Sequence, residues 1–162
     1  LITFTAKALH FNRWLHRTAI YFYLKQQRMK YTLVSKIPTR KEVLRIGRAA
    51  ERWCRVNMGI NRRKKFDPTI TYYKSLPEDG CMGEYRHWDN EIIVYYNNTP
   101  NIKAFIQTII HEWQHQLQPM TKYERMLDEV GYEKHPLEID AEAAEQKHYK
   151  CLWMAIKPKL NQ

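Results

Sequence analysis

The sequence predicts an α+β fold, and three observations carry the prediction. Helical patterns, with apolar residues at steps of three and four, flank a central stretch of three short β-branched and aromatic runs between residues 69 and 96. Turn-forming residues separate those runs, as expected of a small twisted sheet containing a β-hairpin. The chain has 162 residues, 44% of them apolar, which is enough for one domain with a hydrophobic core.

Residues 1–38 read as a basic, aromatic-rich helical segment, and residues 39–162 as the main domain. The run Ala19-Ile20-Tyr21-Phe22-Tyr23-Leu24 calls for burial, and Pro38 breaks the chain. The acid-free front has the charge of a transit peptide, but its aromatic density favours a basic helix docking on the main domain. Thr39-Arg40-Lys41-Glu42 forms a capping box, in which Thr and Glu side chains satisfy free backbone N–H groups. A helix over about 40–58 follows. Val43, Ile46, Ala49, Ala50, Trp53 and Val56 share its apolar side, and Arg45, Arg48, Arg52 and Arg55 form a separate stripe. Gly59 suits its end, and Arg62-Arg63-Lys64-Lys65 is a basic loop cluster.

Strands are expected at Thr69–Tyr73, Cys81–Arg86 and Glu91–Tyr96, with turns at Pro77–Gly80 and His87–Asn90. The last two strands form the hairpin. Thr99 and Pro100 have the character of an N-cap and a first helical residue. The helix they open is strongly apolar through Ile102, Phe105, Ile106, Ile109, Ile110 and Trp113, hence central, and it ends before Pro119. Residues 119–134 read as a polar connection turning at Gly131. Pro136 opens the last helix, which runs to about 156 and stops before Pro158. Leu137, Ala141, Ala144, His148, Cys151, Leu152 and Ala155 mark one face of it, and Glu138, Glu142, Glu145 and Tyr149 the adjacent stripe.

The chemistry centres on His111-Glu112-Trp113-Gln114-His115. Two histidines four residues apart lie one turn apart on one helix face, where both can hold a single zinc ion at about 2.0–2.1 Å. Glu112 is offset by one residue, so its carboxylate reaches the metal-bound water rather than the metal and acts as general base. Burying two imidazoles and a carboxylate without a metal or partners would be costly. A catalytic zinc needs a third protein ligand and an open position. Glu138, in the first turn of the next helix, is the leading candidate, followed by His135 and then Asp140. Tyr132 and Tyr149, with Tyr123 and His148, are candidates to stabilise an oxyanion.

An HExxH helix followed by a helix carrying E-x-x-A-[D/E] resembles the gluzincin metallopeptidases. More narrowly, it is similar to small phage and bacterial metallopeptidases grouped with SprT-like or ImmA/IrrE-like proteins. The resemblance covers about residues 69–156. It implies a compact zincin-like fold and one zinc per chain held by His111, His115 and Glu138. Glu142 stands where gluzincins usually carry an Asp that orients a ligand histidine through its other ring nitrogen. The resemblance also implies a polypeptide substrate, docked by strand addition on the third strand as an edge strand. SprT-like enzymes take a third histidine from a His-Gly motif, whereas His135 here precedes Pro136.

Charge and cysteine content bound the remaining classes. The first 65 residues hold seventeen Lys and Arg against two Glu, whereas residues 66–162 hold ten basic and fifteen acidic residues. A basic front half of this kind suits a polyanion, so a nucleic-acid-associated binding protein with a structural or degenerate zinc site is the alternative reading. A virion or interaction protein carrying a fortuitous motif is the third. No apolar run approaches the roughly 20 residues of a membrane span. Cys54, Cys81 and Cys151 show no paired spacing, which favours free thiols and a cytoplasmic rather than secreted location.

Overall fold

A computed structural model of the chain describes residues 39–74 and 80–160. The helical segment expected over residues 1–38, and the expected turn at 77–80 apart from Gly80, lie outside the described residues. Within the described part the class is α+β, with four α-helices and a three-stranded mixed sheet.

Helix α1 spans Arg40–Asn57. As expected of the capping box, the Glu42 carboxylate accepts from the Thr39 N–H at 2.7 Å and from its hydroxyl at 2.8 Å. Val43, Ile46, Ala49, Ala50 and Cys54 bury one side. Val56 was expected there but is 82% exposed, because it sits about 100° round the helix from the centre of that face. Arg45, Arg48 and Arg52 are exposed, and Arg55 folds inward onto Glu51, Asp67 and the Pro68 carbonyl. A Cβ at Gly47 would lie 2.2 Å from the Tyr72 hydroxyl, so the missing side chain is what lets α1 lie against the sheet.

The strands are β1 (Thr69–Tyr73), β2 (Gly83–Arg86) and β3 (Glu91–Tyr95). Their spatial order is β1-β3-β2, with β3 parallel to β1 and antiparallel to β2. The hairpin forms as expected, turning through residues 87–90. The third strand, however, is central rather than an edge. Ile92, Ile93, Val94 and Tyr95 are buried in succession, the mark of a strand covered on both faces. The edge beside the next helix is β2.

Helix α2 spans Ile102–Leu117 and begins two residues later than Pro100. Asn101 is its N-cap, accepting from the Ala104 N–H at 2.9 Å. Thr99 instead turns its hydroxyl to the Tyr96 carbonyl at 2.8 Å. The predicted apolar set (Ile102, Phe105, Ile106, Ile109, Ile110 and Trp113) is fully buried. The connection after it is not irregular. It folds as 3-10 turns at Met120–Lys122 and Tyr132–Lys134 around a short helix α3, Tyr123–Val130. No α3 residue is fully buried, although Tyr123, Met126, Leu127 and Val130 recur at helical spacing and the first three are half-buried.

Helix α4 spans Pro136–Leu160 and continues through Pro158, which in the last turn removes one backbone hydrogen bond without ending the helix. It packs chiefly on α2 and also on α1. Glu138, Ala141, Ala144, Leu152, Trp153 and Ile156 are buried, whereas Cys151 and Ala155 face outward. The inward face is thus turned toward the Glu138 stripe relative to expectation. None of the three cysteines forms a disulfide. Among the described residues no helix is long and apolar enough to cross a membrane.

Candidate metal centre

Helix α2 presents His111 and His115 side by side, with ring centroids 4.8 Å apart. The first turn of α4 brings Glu138 between them. His111 Nε2 lies 3.1 Å from Glu138 Oε2, and His115 Nε2 lies 3.3 Å from Glu138 Oε1. One ligand atom from each of the three residues falls within 4.8 Å of the others, so the group could hold a metal ion. Tetrahedral zinc with bonds of about 2.0–2.1 Å holds its donors roughly 3.3 Å apart, so the two His–Glu138 distances and the two-His, one-carboxylate chemistry fit such an ion.

The far side of each ring is occupied as well. His111 Nδ1 meets Glu145 Oε1 at 2.8 Å, and His115 Nδ1 meets Gln118 Oε1 at 2.8 Å. Both Nε2 atoms therefore face Glu138. Glu142, expected to orient a ligand histidine, is exposed and makes no such contact. Glu145 takes that position, for a reason set by helix geometry. Seven residues beyond Glu138 return to nearly the same face, whereas four overshoot by about 40° toward solvent.

The other candidates separate cleanly. His135 is fully buried but both its nitrogens are engaged. Nδ1 accepts from the Leu137 N–H at 3.2 Å, which leaves Nε2–H to donate to the Tyr123 carbonyl at 3.1 Å. It caps α4 and stands outside the group that could hold a metal ion. Asp140 accepts from the Gln114 and Gln118 side-chain amides and does not join the metal group. Tyr149 lies outside the cleft, under the Lys103 ammonium, and His148 packs edge-on against Trp53. Tyr123 and Tyr132 both line the cleft, and the Tyr123 hydroxyl donates to Glu138.

That cleft has a volume of about 540 Å³. The three candidate ligands and Glu112 form part of its lining, the β2 residues Gly83, Glu84 and Tyr85 form one wall, and Met120, Thr121 and Tyr123 another. Glu112 is 7% exposed and outside the ligand group. A Cβ at Gly83 would lie 2.5 Å from Thr108 Cγ2 and 3.1 Å from Glu112 Oε1, so only glycine lets β2 come this close to α2.

Burial pushes the Glu112 carboxyl up to about 7, with His111 and His115 pulling the other way. Burial also opposes ionisation of Glu138, but hydrogen bonds from His111, His115, Tyr123 and Tyr132 outweigh it and hold that carboxyl well below the usual range. Burial disfavours the charged form of His111, yet Glu138 and Glu145 raise its pKa to about 10. Burial and the neighbouring Glu138 push both tyrosine hydroxyls upward.

Comparison of the chain with protein-family models, curated proteins and solved structures finds no match. Three residues of the centre, Glu145, Gly83 and Gln118, are given no role by the sequence reading above, although two of them carry a signal. Glu145 was legible as the heptad partner of Glu138, and Gly83 as a glycine inside a strand pattern, the mark of close backbone approach. Gln118 carries no sequence signal, since its role depends on how α4 meets the end of α2.

Proposed function

We propose that this chain is a zinc-dependent peptidase in which His111, His115 and Glu138 hold the ion and Glu112 is the general base. The observation that carries the reading is the turning of two Nε2 atoms onto one buried carboxylate, with a second buried acid, Glu112, beside them in an open cleft. The gluzincin-like order of the motifs supports it.

Zinc, when bound, supplies an acidified water and polarises the scissile carbonyl. Glu112 takes a proton on its carboxylate and returns it to the leaving amine. Burial would hold much of Glu112 protonated near neutral pH, and a dication held by His111, His115 and Glu138 would favour the ionised form that a base needs. Tyr123 is the better placed oxyanion donor, because its hydroxyl already sits at Glu138, and Tyr132 is the second choice.

The β2 edge suits a peptide. Tyr95 N–H donates to the Met82 carbonyl at 2.9 Å, and the antiparallel alternation then directs the backbone groups of Gly83 and Tyr85 away from β3. The Cys81 thiol covers the Gly83 carbonyl, and the Tyr85 groups lie along the cleft wall for strand addition. The test is hydrolysis of an unfolded protein by the zinc-loaded chain. Cleavage that a chelator abolishes and zinc restores is expected; cleavage that ignores the chelator contradicts the reading.

A further inference from the structure

We infer that Gln118 and Asp140 are positioning residues that fix which nitrogen of His115 faces the metal, an inference that rests on the metal-centre reading above. Gln118 is only 6% exposed, at the C-cap of α2 where the chain leaves the helix toward Pro119. Its Oε1 lies 2.8 Å from His115 Nδ1. Its Nε2 donates to Asp140 Oδ2 at 2.7 Å and to the Leu137 carbonyl at 3.0 Å.

This arrangement leaves the amide one orientation. A flipped amide would set its oxygen against a carboxylate and a carbonyl, and neither can donate. Oε1 must therefore face the imidazole. An acceptor at Nδ1 requires a proton there, and in the neutral ring Nε2 then carries the lone pair that a metal ligand needs. The order of cause runs from the charge on Asp140, through the amide, to the tautomer of His115. Asp140 is itself held from α2, where Gln114 Nε2 donates to the same Oδ2 at 2.8 Å.

Helix α4 thus governs both histidines from behind. Glu145 does so directly with a carboxylate, and Asp140 does so at one remove, through an amide. The two residues lie on the helix that supplies Glu138, so one docking event brings the third ligand and both orienting groups into place.

The experiment is zinc affinity of the full chain, measured by competition with a chromophoric chelator. Gln118→Met should weaken binding by about 10–100-fold, the usual cost of losing the partner behind a ligand histidine. Gln118→Glu alone should also weaken it, because the new carboxylate faces Asp140. Adding Asp140→Asn to Gln118→Glu removes the facing carboxylates and reinstates the donor–acceptor pair between positions 118 and 140; the Gln114 amide must flip to accept and the Leu137 carbonyl loses its donor, so the swap should recover part of the affinity. The swap also keeps the idea testable if Gln118→Met fails to fold. Zinc binding by wild type with Gln118→Met unchanged would overturn the relay and leave the metal centre standing. A swap that binds no better than Gln118→Glu would overturn it too. No zinc binding by wild type would overturn both.

Discussion

Glu112→Gln is expected to keep its zinc and to lose about 10²–10⁴-fold in kcat, the range that a positioned acid–base group contributes. The substitution is nearly isosteric, and Glu112 is not among the three residues that group as metal ligands. What disappears is the ability to hold a proton between attack and departure of the amine. The carboxylate is nearly buried against the histidine pair, and β2 packs on it closely enough that a Cβ at Gly83 would stand 3.1 Å from Oε1. Hydrolysis of a quenched peptide, measured alongside metal content, separates the two effects. Activity within a few-fold of wild type, with zinc bound, would remove Glu112 from the mechanism.

Gly83→Ala should damage the site from the strand side. Its methyl would sit 2.5 Å from Thr108 Cγ2 and 3.1 Å from Glu112 Cγ, so β2 and α2 must separate. Overpacking of this kind costs about 1–3 kcal/mol in stability. A shift of about 1 Å between a substrate-binding strand and a general base can cost on the order of 10²-fold in rate. Metal content should stay at the wild-type level, since β2 supplies none of the candidate ligands. Adding Thr108→Ser removes the nearer clash and should restore part of the stability in a denaturant titration. A Gly83→Ala chain with unchanged stability and rate would mean that the close approach of β2 has no mechanical role.

Much of this arrangement is legible in the residues themselves. The i,i+4 histidines on an apolar helix, the acidic first turn of the next helix and the β-hairpin between turn signals are local patterns, and the fold keeps them. What the sequence hides is relational. Whether Glu142 or Glu145 backs His111 depends on the rotation of α4 about its axis, which the packing of Ala141, Leu152 and Ile156 decides. The central place of β3 follows from its unbroken apolar run, yet the family resemblance pointed to an edge. Helix α3 carries Tyr123, Met126, Leu127 and Val130 at helical spacing, but with eight residues its stripe is too short to stand out from the polar residues around it. Asn101 displaces Thr99 as the cap of α2 because the Thr99 hydroxyl is already committed to Tyr96. His135 resembles a ligand in sequence, but the chain uses both of its nitrogens to tie Tyr123 to the start of α4.

The central claim is that His111, His115 and Glu138 hold one zinc ion, and elemental analysis of the purified chain tests it most directly. About one zinc per chain is expected in wild type and in Glu142→Gln, whose carboxylate is exposed and lies outside the three-residue group. None is expected in His111→Ala or Glu138→Ala. Wild-type protein that takes up no zinc even after reconstitution, or Glu138→Ala protein that retains a full equivalent, would contradict the account.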